Sequence, residues 1–262
     1  MSTLQRPTVE LHYEDTGSGR DLVFLHGWCD GSASWASTIA AFSADYRCLA
    51  PDMRGHGRSG VPRDHAFTVE ALTNDIVALC EAAGVSAPVL IGHSYGGYLA
   101  AETARRFPGF ARAIVVEDQA LDLSGFAVQM RALESVIRSP DSHMAFRGQM
   151  LGSMMSPLMP SEDRAMLEAL QEATPVGVAL GLWAALFEFS EDEIAQRSAA
   201  LIAALGKQPS LTIEHAPSPE YHALVARLAP SAQAQVLGAG HWIHLEQPAE
   251  FRSLIRTFLA TI

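Results

Sequence analysis

The stretch Pro88-Val89-Leu90-Ile91-Gly92-His93-Ser94-Tyr95-Gly96-Gly97 decides the reading of this chain. Residues 88–91 form a short apolar run of the kind that fills a buried strand, and helical spacing begins at about residue 95 and continues to 106. Between them lies a G-x-S-x-G pentapeptide. The pentapeptide alone is a weak signal, because two glycines and a serine recur by chance. Its position after a strand and before a helix makes the signal strong. A serine at such a turn takes a strained backbone conformation, and small flanking residues let the chain turn sharply. Ser94 is then expected at the carboxyl end of a sheet, where open α/β sheets bind ligands. The helix N-terminus behind it supplies amide donors and a positive dipole end.

Working outward, strands and helices alternate. Residues 9–14 alternate like a half-buried strand and end in the Thr16-Gly17-Ser18-Gly19 turn; residues 21–25, 47–50 and 113–116 read as buried strands. Val69, Leu72, Ile76, Leu79 and Cys80 recur at helical spacing, and Gly84 stops that helix. The pattern predicts a mainly parallel sheet covered on both faces. From residue 121 to about 205 no strand is expected, only helical periodicity broken at Pro140, Pro157, Pro160 and Pro175. Seven of the nine methionines fall in this segment, which makes it compositionally distinct: Met130, Met144, Met150, Met154, Met155, Met159 and Met166. Strands resume at 211–213 and 234–237, and a helix over about 248–260 closes the chain. The expected organisation is an α/β body with a helical insertion.

Composition narrows the function classes. With 262 residues, 48% hydrophobic and 18% charged, the chain has the make-up of a globular protein able to bury a core without staples. A net charge of −11 argues against nucleic acid and against anionic membrane surfaces, both of which need Lys and Arg. No apolar run is long enough to span a membrane, and no secretory signal is read at the start, so a cytoplasmic location is expected. The three cysteines (Cys29, Cys48, Cys80) are odd in number and far apart, which predicts reduced buried thiols rather than a disulfide framework or a metal site. No cofactor or metal is expected.

A serine nucleophile needs a base. The candidate is His241, in Gly238-Ala239-Gly240-His241-Trp242, between a strand and the last helix. Of the ten histidines, the others are expected to be structural or surface groups. A third group should orient the imidazole. Asp118, after the strand that follows the nucleophile helix, is the leading candidate; Glu214, Glu220 and, less so, Glu117 are the alternatives. Two backbone N–H groups should hold a developing oxyanion. Tyr95, next after the serine, supplies one, and Trp28, in Leu25-His26-Gly27-Trp28-Cys29, the other; the Trp28 indole is also expected in the pocket wall.

Taken together, these residues resemble the α/β-hydrolase superfamily over nearly the whole chain: His26-Gly27 after one apolar strand, Pro51-Asp52-Met53-Arg54-Gly55-His56-Gly57-Arg58-Ser59 after the next, the Gly92 to Gly97 elbow, and Gly240-His241 near the end, with serine before acid before histidine. The resemblance implies an eight-stranded, mostly parallel sheet, with residues 1–120 and 206–262 as the hydrolase core and 121–205 as a helical cap. It implies an adaptable apolar pocket for a small hydrophobic substrate, lined by the cap methionines (Met150 and Met154 foremost), Trp183 and Trp242. The activity implied is cleavage of a carboxylic ester or lactone through an acyl-enzyme. One departure stands out. Most members carry the acid after the seventh strand, whereas Asp118 follows the sixth, as in lactone hydrolases of the zearalenone-degrading kind and in cofactor-free 2,4-dioxygenases of hydroxy-oxoquinolines. The latter also share His26-Gly27-Trp28-Cys29, but this chain has Tyr95 and Asp30 where they usually have histidines. In the dioxygenase alternative His241 and Asp118 deprotonate the substrate, which then reacts with oxygen. Dehalogenases and epoxide hydrolases of this fold need an aspartate where Ser94 stands.

Overall fold

A computed structural model describes residues 2–262, except that the side chain of Glu220 lies outside the described residues. Among them a single eight-stranded sheet runs through the molecule: β1 (Ser2–Gln5), β2 (Glu10–Thr16), β3 (Arg20–Leu25), β4 (Tyr46–Pro51), β5 (Val89–His93), β6 (Ala113–Glu117), β7 (Ser210–Glu214) and β8 (Ala232–Val236). Their order across the sheet is β1-β2-β4-β3-β5-β6-β7-β8. β1 and β2 join antiparallel, and β2 meets β4 antiparallel; every pair from β4 onward is parallel. The carboxyl ends of β3 and of β5 to β8 therefore open on one edge.

Residue alternation along the strands builds a core on each face. Val23, Leu25, Leu90, Ile114 and Val116 point to one side and pack under α2 (Val69–Ala82) and α3 (Tyr95–Arg106). Leu22, Phe24, Val89, Ile91, Val115, Leu211 and Ile213 point to the other, against Trp35, Phe251 and Phe258. Leu22 to Leu25 and Val89 to Ile91 are wholly buried. That is why these strands are unbroken apolar runs rather than alternating ones. α2 starts where the Thr68 hydroxyl accepts the Ala71 N–H at 3.2 Å, and acidic Glu70 sits in its first turn, near the positive end of the helix dipole.

Six helices occupy the chain between β6 and β7, as the periodicity predicted: Ser124–Ala132, Glu134–Arg138, His143–Met154, Ser161–Ala173, Val176–Glu188 and Glu191–Leu205. Prolines 160 and 175 each immediately precede a helix, where their fixed φ suits the entry turn. The last of the six opens with a capping box between Ser190 and Glu193 and lies along α3. It thus covers the sheet as a body helix does, although it belongs to the same apolar-periodic segment as the others. No single helix among the described residues is long and apolar enough to cross a membrane. All three cysteines are buried free thiols, pushed up to about 12 by burial.

Candidate active site

β5 ends at His93 and α3 begins at Tyr95, so one residue makes the whole reversal. That residue, Ser94, has φ 51° and ψ −125°, a region L-residues rarely visit. The strain is held by backbone bonds on both sides. The Ser94 N–H donates to the Glu117 carbonyl at 2.8 Å, and its own carbonyl accepts from Gly97 N–H at 2.8 Å and Tyr98 N–H at 3.1 Å. The two glycines of the pentapeptide are required by close approach. A Cβ on Gly96 would lie 2.2 Å from the Leu25 carbonyl oxygen, and one on Gly92 would lie 2.2 Å from that of Gly96. Backbone atoms cannot give way as a side-chain tip can. Gly96→Ala is accordingly expected to destabilise the fold by about 1–3 kcal/mol, read as a lower melting temperature, and an unchanged melting temperature would contradict this packing.

His241 sits in the loop after β8, and three other parts of the chain fix that loop. The His93 Nε2–H donates to the His241 carbonyl at 3.0 Å, and the His241 N–H donates to the Met154 carbonyl at 2.9 Å. Burial holds His93 well below the usual histidine range, so it serves as a neutral donor. The Glu246 carboxylate accepts Gly240 N–H at 2.6 Å and Ser156 N–H at 3.1 Å, and also accepts the Ser156 hydroxyl. The Trp242 indole N–H donates to Asp30 at 3.3 Å.

Asp118 is the first residue beyond β6 and turns with φ 48°. This rotation sends consecutive carboxylates to different places. Glu117 pairs with His244, accepting both its N–H and its ring Nδ1–H at 2.8 Å, and both side chains are wholly buried beneath Trp35. Asp118 instead reaches the open edge. Its Oδ2 lies 2.5 Å from His241 Nδ1, while its Oδ1 accepts the His215 N–H at 2.8 Å and His215 Nδ1–H at 2.7 Å. Burial opposes its charge, but the bonds from His215 and His241 prevail and hold its carboxyl well below the usual carboxylate range. Glu214, the last residue of β7, behaves oppositely. Burial and the Asp118 charge push it up to about 8, which leaves it a neutral acid at pH 7. Asp118, Glu214 and His215 offer ligand atoms within 4.8 Å of one another, a grouping that could hold a cation.

Ser94, Asp118 and His241 line one cavity of about 230 Å³. Among the described residues the Ser94 hydroxyl forms no hydrogen bond; bonds of this kind often tighten only around substrate. Trp28 and Trp183 stack at 4.1 Å and 13° to form one wall, fixed by the Trp28 indole N–H donating to the Ala179 carbonyl at 3.0 Å. Tyr95, Met150, Met154 and Trp242 complete the sequence-derived set around the same space. The other cap methionines are a correction, since the described lining holds only Met150 and Met154 of the seven. Met155, Met159 and Met166 pack with Leu151, Trp242 and Leu245 in a separate core, Met130 is in the main core, and Met144 is exposed. The amides of Trp28 and Tyr95 are available on opposite grounds. Tyr95 opens a helix, where the first N–H groups have no intrahelical partner. The Gly27 carbonyl accepts the His26 Nδ1–H at 2.8 Å while His26 Nε2 accepts the Met53 N–H at 2.9 Å, so the trans peptide turns the Trp28 N–H away from His26.

Sequence reasoning passed over His215 and Glu246. Their signal is position alone: each lies one strand or one turn from a site residue, in a stretch without a motif.

This architecture defines a class of fold: a mostly parallel sheet, a strained serine between strand and helix, and a histidine and a carboxylate at the same sheet edge. A family model described as the alpha/beta hydrolase fold matches residues 22–135. A hydrolase from Pseudomonas aeruginosa PA01 superposes with a TM-score of 0.83 at 23% identity, covering 98% of this chain and 97% of that one. The chain thus has the α/β-hydrolase fold. An epoxide hydrolase of Caballeronia sordidicola is 38% identical over 108 residues, 40% of this chain and 33% of that protein. The chain thus matches about a third of that relative's length. An sn-1-specific diacylglycerol lipase (ABHD11) of Danio rerio is 27% identical over 263 residues, 94% of this chain and 80% of the relative.

Proposed function

We propose that the protein is a serine hydrolase that cleaves a carboxylic ester or lactone of a small hydrophobic substrate through an acyl-enzyme. The observation that carries this reading is the Asp118–His241 pair at 2.5 Å facing the cavity that Ser94 also lines. In this reading Ser94 attacks the carbonyl carbon and His241 Nε2 takes its proton. Asp118 keeps the proton of His241 on Nδ1 and steadies the imidazolium that forms. The amides of Trp28 and Tyr95 receive the oxyanion, each worth roughly 3–4 kcal/mol. His241 then protonates the leaving alcohol and activates water for deacylation. The wall of Trp28, Trp183, Phe126 and Leu182 favours an apolar acyl or ring group.

Two neighbouring chemistries differ at single atoms. Opening an epoxide by a covalent route needs a carboxylate, whose alkyl ester water can hydrolyse; Ser94 would instead form an ether that has no such exit. The partial likeness to an epoxide hydrolase therefore supports the shared core rather than that reaction. The cofactor-free dioxygenase reading uses His241 and Asp118 for proton abstraction and leaves Ser94 only a hydrogen bond to make. The acid after β6 is the observation that favours it.

The test is fluorophosphonate labelling with mass spectrometry, beside turnover of p-nitrophenyl esters, γ-lactones and a 3-hydroxy-4-oxoquinoline under oxygen. Labelled Ser94 with ester or lactone turnover is expected. Oxygen uptake with carbon monoxide release, and no labelling of Ser94, would overturn the hydrolase reading in favour of the dioxygenase.

A further inference from the structure

The Asp118 carboxylate serves two imidazoles. Oδ2 faces His241, and Oδ1 accepts from both the backbone and the ring of His215. Those two donors converge on one oxygen from a residue just beyond β7, the strand next to β6. A lone His241 bond would leave the carboxylate free to swing about its Cβ–Cγ bond; the pair on Oδ1 removes that freedom. Asp118 is 6% exposed, while the ring of His215 is 49% exposed, so the second imidazole has solvent on one side and the catalytic carboxylate on the other.

We infer that His215 is a positioning residue for the proposed hydrolysis: its backbone and ring N–H groups lock the Asp118 carboxylate toward His241. The inference rests on the serine-hydrolase reading above. The groups that face the His215 ring are Asp118 from the end of β6, Glu214 from β7, and Glu246 from the short helix Ile243–Glu246, with His241 across the shared carboxylate. The bond to Asp118 is the largest influence on His215 and raises it above its usual range, with the Asp118 charge acting in the same direction against partial burial.

His215→Asn keeps a side-chain N–H donor for Oδ1; His215→Ala loses it. Each variant is compared with the parent by the rate of fluorophosphonate labelling and by kcat and KM for p-nitrophenyl butyrate. kcat is expected to fall about 10–100-fold in His215→Ala through the released carboxylate, with KM little changed, and to be largely restored in His215→Asn. The downfield proton resonance of the Asp118–His241 bond gives a readout that needs no turnover: it should weaken or move in His215→Ala and return in His215→Asn. A kcat and a resonance unmoved in His215→Ala, or a loss that His215→Asn does not restore, would overturn the inference, even if melting temperatures fell. Failure of Ser94 to label in the parent, with the resonance still changing in His215→Ala and returning in His215→Asn, would sink the hydrolase reading and leave the positioning of Asp118 by His215 intact.

Discussion

Ser94→Ala is expected to lower turnover of ester substrates by on the order of 10⁶-fold, the size of effect seen when a serine nucleophile is removed from a site that retains its other groups. The structure makes this a clean experiment. The Ser94 hydroxyl has no hydrogen bond among the described residues, so its removal leaves no buried partner orphaned. Alanine tolerates the strained φ of 51° about as poorly as serine does, and the bonds from Glu117, Gly97 and Tyr98 that hold the turn are all to the backbone. The melting temperature should stay within a few degrees of the parent. The residual rate, still above that in water, would come from the Trp28 and Tyr95 amides and from binding. A variant that kept more than a tenth of parental kcat on every active substrate would show that Ser94 is no nucleophile, and oxygen uptake by such a variant would point to proton abstraction by His241 as the chemistry.

Asp118→Asn should cost up to ~10⁴-fold in kcat, and the geometry says why. The His215 N–H and ring both donate to Oδ1, so the amide oxygen of asparagine is held on that side and its NH₂ group is turned to His241. His241 Nδ1 must then accept a hydrogen bond, which moves its proton to Nε2, the atom that has to take the proton of Ser94. The same logic sets the controls. Glu214 is already neutral at pH 7, pushed up to about 8, so Glu214→Gln changes little in charge or shape and should cost less than 10-fold. Glu117→Gln disturbs a buried pair with His244 and should show in stability before activity. If kcat falls further in Glu214→Gln than in Asp118→Asn, the acid has been misassigned.

The elements around Ser94 were readable because local pattern and tertiary role coincide there. An apolar run too short for a helix, two glycines with backbone packed against them and a following helical period all lie within one stretch of chain. The parallel strands were readable for the same reason, since burial on both faces writes itself as an uninterrupted apolar run. β1 was missed because its alternating, half-exposed residues, Ser2 to Gln5, carry only one aliphatic side chain. The choice between Glu117 and Asp118 depends on the left-handed turn at Asp118, a conformation that no flanking glycine announces. His215 was invisible for a different reason. It lies 97 positions from Asp118, and only the lateral neighbourhood of β6 and β7 brings the two together. Likewise the methionine-rich segment was recognised as one compositional block, but only the fold divides it into cavity wall, separate core and surface.

The hydrogen bond from the His241 amide to the Met154 carbonyl has a mechanical consequence, reinforced by Glu246, which grips Gly240 and Ser156 together. The base is fastened to the end of helix His143–Met154, not only to its own strand. If that helix end lifts to widen the cavity, it carries the imidazole away from Asp118 and Ser94 as it goes. On the proposed reading a cavity widened in that way would be a disarmed one, with admission of a ligand and competence for reaction as successive states of a single moving part.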